Sequence, residues 1–227
     1  MDNFDFAEFI LFFVALIFSL SLHEAAHAWM SSRFGDDLAR SQGRITLNPA
    51  SHVDPIGTVL FPTLAFFTGA PLLGWARPTP VNPLSWRNKR VANIWVSAAG
   101  VIGNFIIAIV AGIALRLLVE FELVGGFTGD LRPVFSDSGI AEGAVKLLES
   151  FFRMNIGLGV FNLIPIPPLD GSKILGSLLP ERFETAIESI EQFGFLLLFV
   201  AVFTGVFGVI FGFVMPLAYH IFFFGRI

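Results

Sequence analysis

Phe9-Ile10-Leu11-Phe12-Phe13-Val14-Ala15-Leu16-Ile17-Phe18-Ser19-Leu20-Ser21-Leu22-His23-Glu24-Ala25-Ala26-His27-Ala28-Trp29-Met30-Ser31-Ser32 is an apolar run broken by one charge, Glu24. A helix needs about 20 mostly apolar residues to cross a hydrocarbon layer of about 30 Å, and this run is long enough. Four more stretches, 55–76, 91–115, 154–169 and 192–225, contain no Asp, Glu, Lys or Arg. Over the whole chain 55% of residues are hydrophobic and 14% charged, against roughly a quarter charged in an average globular chain. The expected class is therefore an all-α polytopic membrane protein, residues 1–227 forming one domain. The absence of cysteine excludes disulfides and thiolate-bound metal. A net charge of -4 without a basic cluster argues against nucleic acid as a partner.

Charge placement suggests an orientation. Asp2, Asp5 and Glu8 precede the first run with no Lys or Arg, the wrong sign for a cleaved signal segment. Arg33, Arg40, Arg44, Arg77, Arg87, Lys89 and Arg90 all fall between residues 33 and 90. The positive-inside rule then places the N-terminus outside and residues 33–90 in the cytoplasm. Residues 120–150 suit the outer side, with Glu120, Glu122, Asp130, Asp137, Glu142 and Glu149 against Arg132 and Lys146. A crossing by 55–76 would export the basic run 77–90. That stretch also holds Gly57, Pro62, Gly69, Pro71 and Gly74, which would break a straight helix, so it reads as re-entrant. Stretch 192–225 has 34 residues, about 51 Å as helix, and must tilt, kink near Pro216 or break at Gly205, Gly208 or Gly212.

The first run carries His23-Glu24-Ala25-Ala26-His27 near its end. On a helix, i and i+4 share a face, so two imidazoles can bind one Zn²⁺ while the neighbouring Glu reaches a water on the metal. Ionisable groups clustered inside a spanning helix are costly and default to a functional reading. A tetrahedral zinc with two histidines and a water lacks one protein ligand. The candidate is Asp170 in Asn162-Leu163-Ile164-Pro165-Ile166-Pro167-Pro168-Leu169-Asp170-Gly171, where three prolines forbid regular helix and present the carboxylate from a stiff corner. Taken alone, Asp170 reads better as a turn or helix N-cap residue, and the pairing with His23 and His27 reverses that order. Depth supports the pairing, since His23 and His27 come 15 and 19 residues after Glu8, and Asp170 comes 17 after Arg153.

These residues resemble the site-2 proteases, the intramembrane zinc metalloproteases. The resemblance rests on His23 to His27, on Asn162 to Gly171 as that family's NxxPxPxLDG element, and on Ala99-Gly100-Val101-Ile102-Gly103-Asn104. Three further runs look like the compact prokaryotic branch without PDZ or CBS modules: Gly43-Arg44-Ile45-Thr46-Leu47-Asn48-Pro49, His52-Val53-Asp54-Pro55-Ile56-Gly57-Thr58, and Gly74-Trp75-Ala76-Arg77-Pro78-Thr79-Pro80-Val81-Asn82-Pro83. Together they cover a core of residues 9–175, leaving 192–225 as a C-terminal membrane segment. Val101 departs from the proline many relatives carry there. The resemblance implies a site-2 protease-like helical core, a zinc endopeptidase in a prokaryotic cell membrane, and an active site near the cytoplasmic side. It assigns His23, His27 and Asp170 to Zn²⁺, Glu24 to the general base, and transmembrane protein substrates and the lipid bilayer as partners.

Asn162 could donate its amide to a substrate carbonyl, in keeping with the resemblance, or cap the helix break before the prolines. Asn104 is a second candidate for substrate binding, although with Gly100 it fits a close helix-packing site better. Pro78 and Pro80 lose their N–H groups on one edge of a strand, so 74–83 could be a β-like element whose other edge pairs with an unwound substrate. His52 and Asp54 read as a turn pair before Pro55 more readily than as a gate or metal ligand, and His220 receives no role. From other classes, a proton or ion transporter and a non-catalytic helix-binding protein could use the same polar groups. The chain has no internal repeat of the kind that marks many transporters.

Overall fold

A computed structural model describes residues 6–70, 74–121, 124–127, 133–135 and 140–223. Asp2, Asp5, Glu122, Asp130, Arg132 and Asp137 of the orientation reading, and Pro71, lie outside the described residues. The first apolar run becomes α1 (Phe6–Arg33), followed by the short α2 (Leu38–Ser41). A π-helical turn, Pro55–Leu60, runs into α3 (Phe61–Thr68). Asp54 opens this piece, its carboxylate accepting from the N–H groups of Ile56 and Gly57. That is the turn chemistry expected of Asp-Pro, satisfying donors that have no partner inside the helix.

The π turn and α3 are too short to cross a bilayer, and the backbone then comes back. Trp75 N–H donates to Gly57 O at 3.1 Å and Arg77 N–H to His52 O at 2.7 Å. Both ends of the segment therefore meet at one level, as a re-entrant excursion requires. For 74–83 the expectation is a β-like element with one edge open to an unwound substrate. The segment is extended, but among the described residues it pairs with no strand. Its prolines lack donors, and the N–H groups of Trp75, Arg77, Thr79 and Asn82 go to Gly57 O, His52 O, Glu24 Oε2 and Asp36 Oδ2.

Asn88 caps the next helix, α4 (Lys89–Glu120), by accepting from Val91 N–H. A two-stranded antiparallel pair, β1 (Val124–Phe127) and β2 (Pro133–Phe135), lies in the connection that follows. Helix α5 (Ile140–Leu163) starts well before the uncharged stretch at 154. Its first half is charged, and the i,i+4 pairs Glu142–Lys146 and Glu149–Arg153 support helix there. The prolines after Leu163 end it. Helix α6 (Asp170–Leu178) follows the corner, and α7 (Glu184–Glu191) precedes the last apolar stretch. That stretch breaks at Gly205, whose φ is 78°, into α8 (Gly194–Phe203) and α9 (Val206–Phe223), and Pro216 stays inside α9.

Helices α1, α4 and α5 pack on one another, with α6 against α4 and α9 against both α4 and α5. The buried faces use small residues, Ala15, Ala28, Ala99, Ala108 and Ala111, which let helices approach without a hydrophobic drive between them. Large apolar residues point outward instead, among them Ile106, Val110, Val209, Phe213 and Ile221. Helices α1, α4 and α9 are long and apolar enough to cross a membrane. The chain is an integral membrane protein built from helices.

Candidate metal centre

His23 and His27 sit one turn apart on α1, facing α4. Gly100 of α4 makes room for them, since a Cβ built there would lie 2.5 Å from His27 Nε2 and 2.6 Å from His23 Cε1. His27 Nδ1 lies 2.6 Å from Val96 O, and a carbonyl only accepts, so Nδ1 carries the proton. The tautomer of His23 follows from a buried chain of amides. Asn155 Nδ2 donates to Phe151 O at 2.8 Å and to Ser19 Oγ at 2.7 Å. Its Oδ1 must then accept from Asn104 Nδ2, at 2.8 Å. Asn104 Oδ1 is left facing His23 Nδ1 at 2.6 Å, so His23 also donates from Nδ1. Both Nε2 lone pairs are therefore bare.

Those lone pairs converge with a carboxylate. The two Nε2 atoms are 2.9 Å apart, and Asp170 Oδ2 lies 3.2 Å from each. Asp170 is the first residue of α6, where the helix dipole favours an anion. The corner before it closes tightly because Gly171 lies against the end of α5, where a Cβ would come 2.2 Å from Leu163 O. Asp170 Oδ1 is 3.6 Å from Lys173 Nζ, while buried Oδ2 has no hydrogen-bond partner. Three acceptors facing one point without a donor would repel unless a cation lies between them. Ligands at about 2.0–2.1 Å from a tetrahedral zinc stand about 3.3 Å from one another, within a few tenths of an ångström of this triangle. Among the described residues His23, His27 and Asp170 are the group able to hold a metal.

Glu24 lies beside the triad, its Oε2 accepting from Thr79 N–H at 2.8 Å and its backbone carbonyl from the Thr79 hydroxyl at 2.9 Å. A cavity of 970 Å³ opens in front, lined by the triad, Glu24, Asn162 and Lys173, with apolar walls from α3, residues 74–83 and α8. Asn162 donates to Leu158 O of its own helix at 3.0 Å, so one amide hydrogen supports α5 while the residue borders the cavity. Asn104 is not among the residues that line the cavity. It is fully buried, and its carboxamide is committed to His23 and Asn155 on the far side of the imidazole. His52 is buried with Nε2 donating to Thr46 O at 2.9 Å and stands apart from the triad.

The structure adds Thr79, Ser19, Asn155 and Lys173 to the residues singled out from sequence. Polar residues facing inward in otherwise apolar helices were the available signal for Ser19 and Asn155. The prolines on either side marked the edge that holds Thr79, but not its partner 55 residues away.

Residues 11–206 match peptidase family M50. "Putative zinc metalloprotease YwhC" of Bacillus subtilis (strain 168) is 36% identical over 193 residues, covering 84% of this chain and 79% of that protein. "Putative zinc metalloprotease Rip2" of Mycolicibacterium smegmatis is 31% identical over 196 residues, 86% of this chain and 68% of that one. The Mycobacterium tuberculosis (strain ATCC 25618 / H37Rv) protein of the same name is 28% identical over 194 residues, 85% and 66%. No solved structure matches the chain. Two histidines and an aspartate meeting beside a glutamate, inside a bundle of membrane-length helices, accord with that relationship: the chain belongs to peptidase family M50 and is a metalloprotease.

Proposed function

We propose that the protein is an intramembrane endopeptidase that hydrolyses peptide bonds in transmembrane segments of other membrane proteins. Zinc is the metal that family membership and the relatives' names imply, and the triad of two imidazoles and a carboxylate suits it. His23, His27 and Asp170 would hold it. Bound zinc supplies a Lewis acid that polarises a peptide carbonyl and lowers the pKa of a water to about 7.

The chain's own residues do the rest. Glu24, next to His23 and bordering the same cavity, takes the proton of the attacking water and returns it to the leaving amine. Asn104 and the Val96 carbonyl keep each imidazole in the tautomer that leaves Nε2 bare. Asn162 sits where its carboxamide can hold an extended substrate backbone. The apolar walls receive the side chains of an unwound membrane segment and exclude bulk water. The basic residues between α1 and α4 support placing the site near the cytoplasmic face, with the N-terminus outside.

The observation that carries this reading is the bare triangle of His23, His27 and Asp170 atoms in a cavity wall shared with Glu24. Zinc per chain in detergent-purified protein tests it. About one zinc in the wild type, lost in Asp170→Ala, is expected, together with peptide products that disappear in Glu24→Gln. A folded wild type that cannot be loaded with zinc would overturn it.

A further inference from the structure

Residues 77–82, Arg77-Pro78-Thr79-Pro80-Val81-Asn82, pass along the cavity wall beside Glu24. Pro78 and Pro80 carry no N–H, and each holds the residue before it in extended backbone. Thr79 is therefore the one amide donor from 78 to 80, and its direction is restrained from both sides. It grips Glu24 twice, N–H to the carboxylate and hydroxyl to the backbone carbonyl. No ladder competes for that N–H, because the segment has no partner strand among the described residues.

Both ends of the segment are tied down by buried charges. The Arg44 guanidinium, 6% exposed, donates to Arg77 O at 2.6 Å, to Pro78 O at 2.8 Å and to Ser51 O. Arg77 N–H is held by His52 O. At the other end Asn82 N–H donates at 2.7 Å to Asp36 Oδ2, whose carboxylate also accepts from the Ser31 hydroxyl and from Leu38 N–H. Burying a guanidinium against three carbonyls is costly. Burial and neighbouring Arg77 draw the Arg44 pKa below its ordinary value, and the charge of Glu24 acts in the opposite sense. Such a cation is worth keeping where its geometry matters, and here it holds the two carbonyls before Thr79, one of them in the same peptide group as the Thr79 N–H.

We propose that residues 77–82 are a strap that positions the catalytic base, with Thr79 orienting the Glu24 carboxylate and Arg44 holding Thr79 in place. This rests on the reading of Glu24 as the base. A free glutamate side chain turns about three bonds, and a base displaced by about 1 Å can cost about 10²-fold in rate. A neutral N–H narrows that freedom without adding another full charge to the cavity. Arg44 and Thr79 are thus positioning residues, acting through Glu24.

Proline makes the test clean, because only Arg77, Thr79, Val81 and Asn82 in the strap have exchangeable amides. Residue-resolved hydrogen exchange of the full chain in detergent micelles, wild type against Glu24→Ala, reads the contact without substrate or metal. The Thr79 amide is expected to exchange about 10- to 100-fold faster in the variant, the range for a bond to a charged acceptor, while the Asn82 amide keeps its rate. An unchanged Thr79 rate overturns the strap.

The second arm uses zinc-loaded chain and a synthetic single-span transmembrane peptide. Arg44→Met and Thr79→Pro are expected to retain zinc and lower kcat about 10²-fold at unchanged KM, with Arg44→Lys restoring part of the loss. A raised KM at unchanged kcat, or loss of zinc in both Arg44→Met and Thr79→Pro, overturns the inference by making the segment a substrate surface or a fold element. Glu24→Gln in parallel separates the two readings. Full turnover there removes Glu24 as base, whereas an inactive Glu24→Gln beside a wild-type Thr79→Pro removes only the strap.

Discussion

The two sources of the metal triad are built in opposite ways. His23 and His27 belong to one continuous helix, spaced by its own period, each anchored through Nδ1 to α4. Asp170 comes from a corner where three prolines end α5 and a glycine lets the chain fold back on Leu163 O. The histidines are restrained by hydrogen bonds from behind, while the aspartate is restrained by backbone stiffness and by Lys173 at one oxygen. Helix supplies regular spacing and corner supplies reach, and a closed triad needs both.

The largest effects should come from removing either source. His23→Ala and Asp170→Ala are each expected to lose stoichiometric zinc, read by elemental analysis of purified, folded chain. A variant of Asp170 that still held one zinc would leave the corner without a role. Glu24→Gln should leave zinc in place and lower hydrolysis by about 10²–10⁴-fold, the range for general acid–base groups, measured by mass spectrometry of the products of a single-span peptide. Retained turnover would place the base elsewhere in the cavity.

Support from behind should matter less, and unequally. Asn104→Ala is expected to weaken zinc binding about 10- to 100-fold, as for groups that orient a metal-bound imidazole, in chelator competition. Asn155→Ala, one hydrogen bond further back, should cost less. Equal losses would mean that the amide chain acts as one unit. On the corner side, Pro165→Ala should lower stability by about 0.4–1 kcal/mol, through a freer unfolded chain, seen as a small fall in unfolding temperature in detergent. If zinc affinity fell as far as in Asn104→Ala, backbone stiffness would rank with hydrogen bonding in holding the site.

Much of the candidate site was legible in the sequence. The i, i+4 spacing of His23 and His27 is local geometry, and a charge in an apolar run such as Glu24 stands out for its cost. Asp170 was legible as a partner because two imidazoles called for a third ligand, its depth matched theirs, and its proline-rich run resembled a family element. Asn104 shows the limit. Its place in the Gly100 to Asn104 run marked it as notable, yet the sequence could not say whether its amide faced a substrate or the back of His23. Residues 74–83 show the same limit, since the prolines marked an extended edge but not that the Thr79 N–H on that edge would go to Glu24.

Composition by itself determined a helical membrane protein, because hydrocarbon forbids unpaired backbone and isolated charge, and charge placement suggested that 55–76 turns back rather than crosses. Local pattern determined which helix carries the donors and where α5 must end. Only the tertiary structure decided that the Asp170 oxygen meets both imidazoles, that a chain of buried amides sets the His23 tautomer, and that a strap anchored by Arg44 and Asp36 reaches Glu24. Each of those joins residues tens of positions apart, through packing that no local propensity encodes.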